Sequence, residues 1–221
     1  MHTSSILSPT VFLTSSIGKK FTVALTGISL VGFLLEHAVS NLLLLNPDPA
    51  PYLVYAAFMG TNLIIRVLEI GLFLGFALHI ASALLVQFNN RQARPVHYAV
   101  QRRSTKAWFS RAMLLSGSIT FIFLVVHLGR FFVPHKVLHS SHLDLYADTR
   151  LAFSSPLYVA FYVVAMVLLA VHLAHGAQSA LQTFGLQSSR SARAVRMAGY
   201  VYAAFVPGLL ALIPVWIYFA G

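Results

Sequence analysis

Cysteine is absent from this 221-residue chain. That excludes a disulfide framework, thiolate-held iron–sulfur clusters, Cys-containing zinc sites and covalently attached c-type haem. Acidic residues are nearly absent too: there are 5 Asp plus Glu against 15 Lys plus Arg, and charged residues make up only 9% of the chain. A soluble domain carries roughly a quarter, so a soluble enzyme is excluded. What fills the space is apolar, at 58% hydrophobic residues and a mean hydropathy of +0.78. The net charge of +10 does not indicate nucleic acid, because the basic residues lie between apolar runs rather than in a stripe interleaved with aromatics.

A hydrocarbon core about 30 Å thick needs roughly 20 apolar residues per helix. Five stretches meet that length, at approximately 20–46, 64–89, 111–134, 156–183 and 197–220. Pro156 suits the first turn of the fourth. The expected fold is therefore all-α, a polytopic membrane bundle of five transmembrane helices forming a single domain over 1–221. The first eighteen residues show no basic n-region followed by a long apolar run, so no cleaved signal peptide is expected. No internal repeat is visible, which argues against a transporter built from inverted halves.

The basic residues set the orientation. Lys19, Lys20, Arg91, Arg94, Arg102, Arg103, Lys106, Arg111, Arg190, Arg193 and Arg196 fall on one side of the five spans. Arg66, Arg130, Lys136 and Arg150 fall on the other. The positive-inside rule then predicts a cytoplasmic N-terminus and an external Gly221.

Histidines stand inside four of the five spans: His37, His79, His127 and His172, with His175 one turn further on. An ionisable side chain at membrane depth is costly unless it is paired or used. One such residue serves as interhelical glue; four, in four successive helices, point to a common task. Counting at 1.5 Å per residue from Asp48, Lys136, Arg66 and Pro156 gives depths of roughly 17 Å for His37, 14 Å for His127, 20 Å for His79 and 24 Å for His172. The order suggests two cross-bundle pairs, His37 with His127 nearer the outside and His79 with His172 nearer the cytoplasm. Neutral imidazoles facing each other suit bis-His ligation of a non-covalent b-type haem, and two pairs imply two haems. Gly75 and Gly176, each four residues from a histidine on the same helix face, are expected to leave room beside the ligands. His172 and His175 compete, being i and i+3. His2, His97, His135, His139 and His142 lie near ends or in loops, with His135 and Lys136 as candidate partners of an outer haem propionate. Glu36, beside His37, has no role that the sequence reveals.

The stretches GKKFTVALTGISLVGFLLEHAVSNLL, ARPVHYAVQRRSTKAWFSR with GSITFIFLVVHLGRFFVPHK, and HLAHGAQSALQTFG resemble the dihaem cytochrome b membrane anchor of succinate:quinone oxidoreductases. This is the five-helix type found in succinate:menaquinone oxidoreductases and fumarate reductases, and the likeness runs over almost the whole chain. The resemblance implies two haem b groups, held by His79 with His172 and by His37 with His127. It favours His172 over His175, through the register of His172 with Gly176 and Gly185. It also implies a flavoprotein subunit with covalent FAD and an iron–sulfur subunit on the cytoplasmic face, menaquinone as substrate, and the cytoplasmic (inner) membrane as location. The chain would be a non-flavin subunit of succinate dehydrogenase, with no complete catalytic centre for succinate of its own. One departure is Ala170, where some dihaem fumarate reductases carry a glutamate for proton movement. Two other readings stay open: the cytochrome b subunit of a hydrogenase or formate dehydrogenase, and a haem-free proton-coupled transporter whose histidines relay protons. Arg66 and Glu69, i and i+3 at the outer end of the second span, are the quinone-site candidates.

Overall fold

The computed structural model describes residues 15–92, 105–139, 144–186 and 192–220. All regular structure among them is helical: α1 (Ser16–Asn41), a 3₁₀ turn (Leu42–Leu45), α2 (Ala50–Thr61), α3 (Leu63–Gln92), α4 (Thr105–His127), a π-helical segment (Leu128–Val137), α5 (Leu145–Phe153), α6 (Pro156–Thr183) and α7 (Ala192–Ala220). Five helices are long and apolar enough to cross a membrane, over Ile17–Leu45, Leu63–Asn90, Met113–Val137, Pro156–Thr183 and Ala192–Ala220. The chain is thus a multi-pass membrane protein. Pro156 does open α6, and Ser15 opens α1 by accepting a hydrogen bond from the Gly18 amide at 3.0 Å.

Threonines early in α1 bond back to their own backbone. Thr22 Oγ1 donates to the Gly18 carbonyl at 3.0 Å and Thr26 Oγ1 to the Thr22 carbonyl at 2.7 Å. Such bonds satisfy hydroxyls where lipid offers no partner. The fourth helical stretch changes winding directly after His127. Pro134 lies in it, and proline lacks an N–H and crowds the carbonyl four residues back. The wider register relieves this, with Leu138 N donating to the Val133 carbonyl five residues back at 2.9 Å.

Two short helices, α2 and α5, lie in the connections after the first and third spans, where hydropathy predicts no helix. Both sit at the same end of the bundle, the cap end. Tyr146 on α5 donates to the Asn46 carbonyl at 2.8 Å, and the Tyr52 and Tyr146 rings lie 6.2 Å apart. The main apolar core is at this end too, built on Leu44, Tyr52, Phe153, Tyr162, Ile213 and Ile217. Phe21 at the start of α1 meets Phe184 just past the end of α6 at 5.3 Å, which defines the opposite, basic end with Lys19 and Lys20. His2, His97 and His142, and Arg94, Arg102, Arg103 and Arg190, lie outside the described residues.

The packing is uneven. Helix α7 lies along α6, α4 packs on α6, and α1 touches α3, α6 and α7, whereas α3 packs closely only on α1 and α2. From α3 to the opposite wall the contacts are made by side chains: Phe73 to Phe132 at 5.1 Å, Glu69 to Lys136 at 2.9 Å, and His79 to His172 at 6.5 Å between ring centres.

Candidate functional site

Between α3 and the α4–α6 wall runs a groove of about 2670 Å³, well above the roughly 300–1,000 Å³ of an ordinary small-molecule pocket. Its walls include His37, His79, His127, His172 and Glu69. The four histidines are half-buried and stand in two pairs. His37 from α1 meets His127 from α4 with ring centres 5.7 Å apart and planes at 88°. His79 from α3 meets His172 from α6 at 6.5 Å and 78°. A metal–imidazole nitrogen bond is about 2.0–2.1 Å, so two imidazoles on opposite sides of one metal keep their ring centres roughly 6 Å apart. Both separations fall near that value. Each pair offers two nitrogen donors, a set that suits an iron whose other positions come with a macrocycle.

The walls leave space at the histidines by having no side chain there. A Cβ on Gly27 would come within 3.3 Å of His79 Cε1, and one on Gly117 within 3.3 Å of His172 Cε1. Gly27 and Gly117 lie on the facing helices, not on the ligands' own, so counting i±4 from each histidine does not find them. A Cβ on Gly75 would meet only Leu30, at 4.0 Å, and one on Gly176 meets no atom within 4 Å. Gly117→Val should push His172 off its partner and cost about 1–3 kcal/mol of overpacking. The expected outcome is less cofactor bound at that level and unchanged occupancy at the other, read by pigment content per chain.

Orientation comes from the second ring nitrogen. His79 Nδ1 lies 3.1 Å from the Val23 carbonyl and 3.1 Å from Thr26 Oγ1. His127 Nδ1 lies 3.0 Å from Tyr162 Oη. Asn41 Nδ2, on His37's own helix, donates to the His37 carbonyl at 2.7 Å and lies 3.4 Å from His37 Nδ1. His172 Nδ1 is buried without a hydrogen-bond partner among the described residues. His175 also lines the groove, but it is His172 that faces His79.

At the cap end, Glu69 accepts from Lys136 Nζ at 2.9 Å and lies 3.8 Å from Arg66 Nη1. Lys136 thus pairs with Glu69, and His135 Nε2 lies 3.0 Å from Asp148 Oδ2. Asp148 is 4% exposed and also takes both Arg130 amino groups, at 2.6 and 2.7 Å. Burial alone would raise the Asp148 carboxyl, but the bonds from Arg130 and His135 hold it below its ordinary range. Glu36 accepts a short hydrogen bond from Tyr55 on α2. No protein-family model, curated protein or solved structure matches this chain.

Proposed function

We propose that the chain is the dihaem cytochrome b membrane anchor of a succinate:quinone oxidoreductase, joining an iron–sulfur subunit on the cytoplasmic face to menaquinone in the bilayer. The observation that carries this reading is the stacking of two cross-bundle imidazole pairs in one apolar groove. Supporting it are the order and spacing of the sequence stretches that resemble this family. Bound between the imidazoles, a b-type haem supplies one-electron redox chemistry at each level. His79 and His172 hold the inner one, and His37 and His127 the outer. Hydrogen bonds with neighbouring helices keep the His79 and His127 rings oriented. With the N-terminus cytoplasmic, the basic end carrying Lys19, Lys20, Arg193 and Arg196 faces the docked subunits, which bring the flavin and the clusters.

Quinone chemistry belongs at the cap end, where Glu69 and Lys136 line the groove and the exposed Arg66 lies beside Glu69. A carboxylate there exchanges protons with a reduced quinone oxygen, and the flanking cations orient that oxygen. Glu69→Gln keeps the shape and removes the titrating group. It should leave haem content and electron transfer to artificial acceptors intact while slowing quinone turnover. Unchanged turnover across pH would remove Glu69 from the proton route.

The decisive experiment for the function is a reduced-minus-oxidised optical spectrum of the purified protein, with mass spectrometry of the subunits that copurify. A two-component b-type spectrum with a flavoprotein and an iron–sulfur protein is the expected result. A spectrum without haem rejects the reading, and hydrogenase or formate dehydrogenase subunits would reassign it.

A further inference from the structure

Each imidazole pair contains one histidine whose Nδ1 is gripped by a different helix. At the inner level this is His79, held from α1 by the Val23 carbonyl and Thr26 Oγ1, both at 3.1 Å. The carbonyl can only accept. The Thr26 hydroxyl proton is committed to the Thr22 carbonyl at 2.7 Å, so its oxygen accepts from the ring as well. His79 therefore carries its proton on Nδ1 and turns a bare Nε2 lone pair to the groove.

At the outer level the gripped ring is His127, whose Nδ1 lies 3.0 Å from Tyr162 Oη. Tyr162 is 5% exposed and clamped edge-on by Phe123 and Phe153, each 4.9 Å away. Its hydroxyl lies 3.3 Å from Tyr158 Oη, which can take the Tyr162 proton and leave the Tyr162 oxygen to accept from His127. Among the described residues, the other members of the pairs lack such a grip. His37 is met by Asn41 of its own helix, and the buried His172 Nδ1 has no hydrogen-bond partner there.

We infer that Tyr162 at the outer level, and Thr26 with the Val23 carbonyl at the inner level, are positioning residues that fix ring tautomer and basicity and so set the two redox centres independently. The inference rests on the haem reading above. An acceptor on Nδ1–H raises the donor strength of the opposite nitrogen, and a stronger donor stabilises the more highly charged metal. Removing the acceptor makes the centre easier to reduce. The two grips differ in redundancy. Tyr162 holds His127 Nδ1 through one hydroxyl that a phenylalanine removes, whereas Thr26 shares His79 with a backbone carbonyl that no side-chain substitution removes.

The test is a redox titration of haem absorbance in the purified complex. Tyr162→Phe, which keeps the ring packing, should shift one haem to higher potential and leave the other in place. Thr26→Val should shift the other haem in the same direction by less, and Thr26→Ser, which keeps the hydroxyl, should restore it. Both variants moving the same haem, or neither moving any, overturns the inference while leaving the haem reading standing. A wild-type complex without haem overturns the haem reading instead. If Tyr162→Phe fails to assemble, the Thr26 pair decides: equal potentials in the valine and serine variants reject the positioning role.

Discussion

On the proposed haem reading, His79→Ala and His172→Ala should each remove one and the same haem, and His37→Ala and His127→Ala should each remove the other. A six-coordinate haem iron held by two imidazoles needs both, and the pairs are set by geometry, with ring centres 5.7 Å apart in one and 6.5 Å in the other. The expected signal is complete loss of one spectral component with the second retained, measured in redox-resolved difference spectra of membranes. His175→Ala should keep both components, because His172 is the ring that meets His79. Loss of the same component from the His79 and His37 variants would break the pairing.

The second large effect concerns no histidine of the pairs. Asp148 joins α5 to the π-helical segment through Arg130 and His135. Asp148→Asn leaves the Arg130 guanidinium without its counter-charge and weakens two charge-assisted bonds. Breaking a fully buried pair costs about 3–5 kcal/mol, but the Arg130 side chain is 34% exposed and water compensates part of the loss. About 1.5–3 kcal/mol is the expected destabilisation, measured by denaturation in detergent. The pH dependence follows from the depressed carboxyl. Its stabilisation is complete above the unfolded value, about 3.9, and is lost as pH falls through the lower folded value. The gap between wild type and variant should therefore close as pH falls into strong acid.

The spans were readable because lipid imposes one rule on every residue of a crossing helix. Length and the absence of charge were enough, and the fourth span starts at Pro156 as its ring chemistry predicts. The pairing of the histidines was readable for a related reason, since a helix converts residue number into height and rings at similar heights meet across the bundle. What the sequence hid depends on contacts between distant residues. Helices α2 and α5 are each too short to stand out by hydropathy; α5 is held by Tyr146 reaching Asn46 a hundred positions away in the chain. Gly27 and Gly117 matter only because the facing helices carry His79 and His172. The role of Asp148 could have been suspected from its rarity, as one of five acids in the chain; its partners could not. The π-helical winding had a visible signal in Pro134, but proline in a span more often reads as a simple kink.

α3 is held along α1 but meets the α4–α6 wall through side chains alone, which bears on how the protein comes apart. In the most apolar 18-residue stretch of each span, no residue of α3 is buried against the rest of the protein, whereas 28% are in α6 and 33% in α7. Local opening follows the shallowest burial, so hydrogen exchange should show α3 opening ahead of the α6–α7 pair. Anything bound between His79 and His172 joins α3 to α6 and stabilises the closed form by mass action. Filling the groove and closing α3 against the α4–α6 wall are then one equilibrium, while α1 holds α3 along its other side.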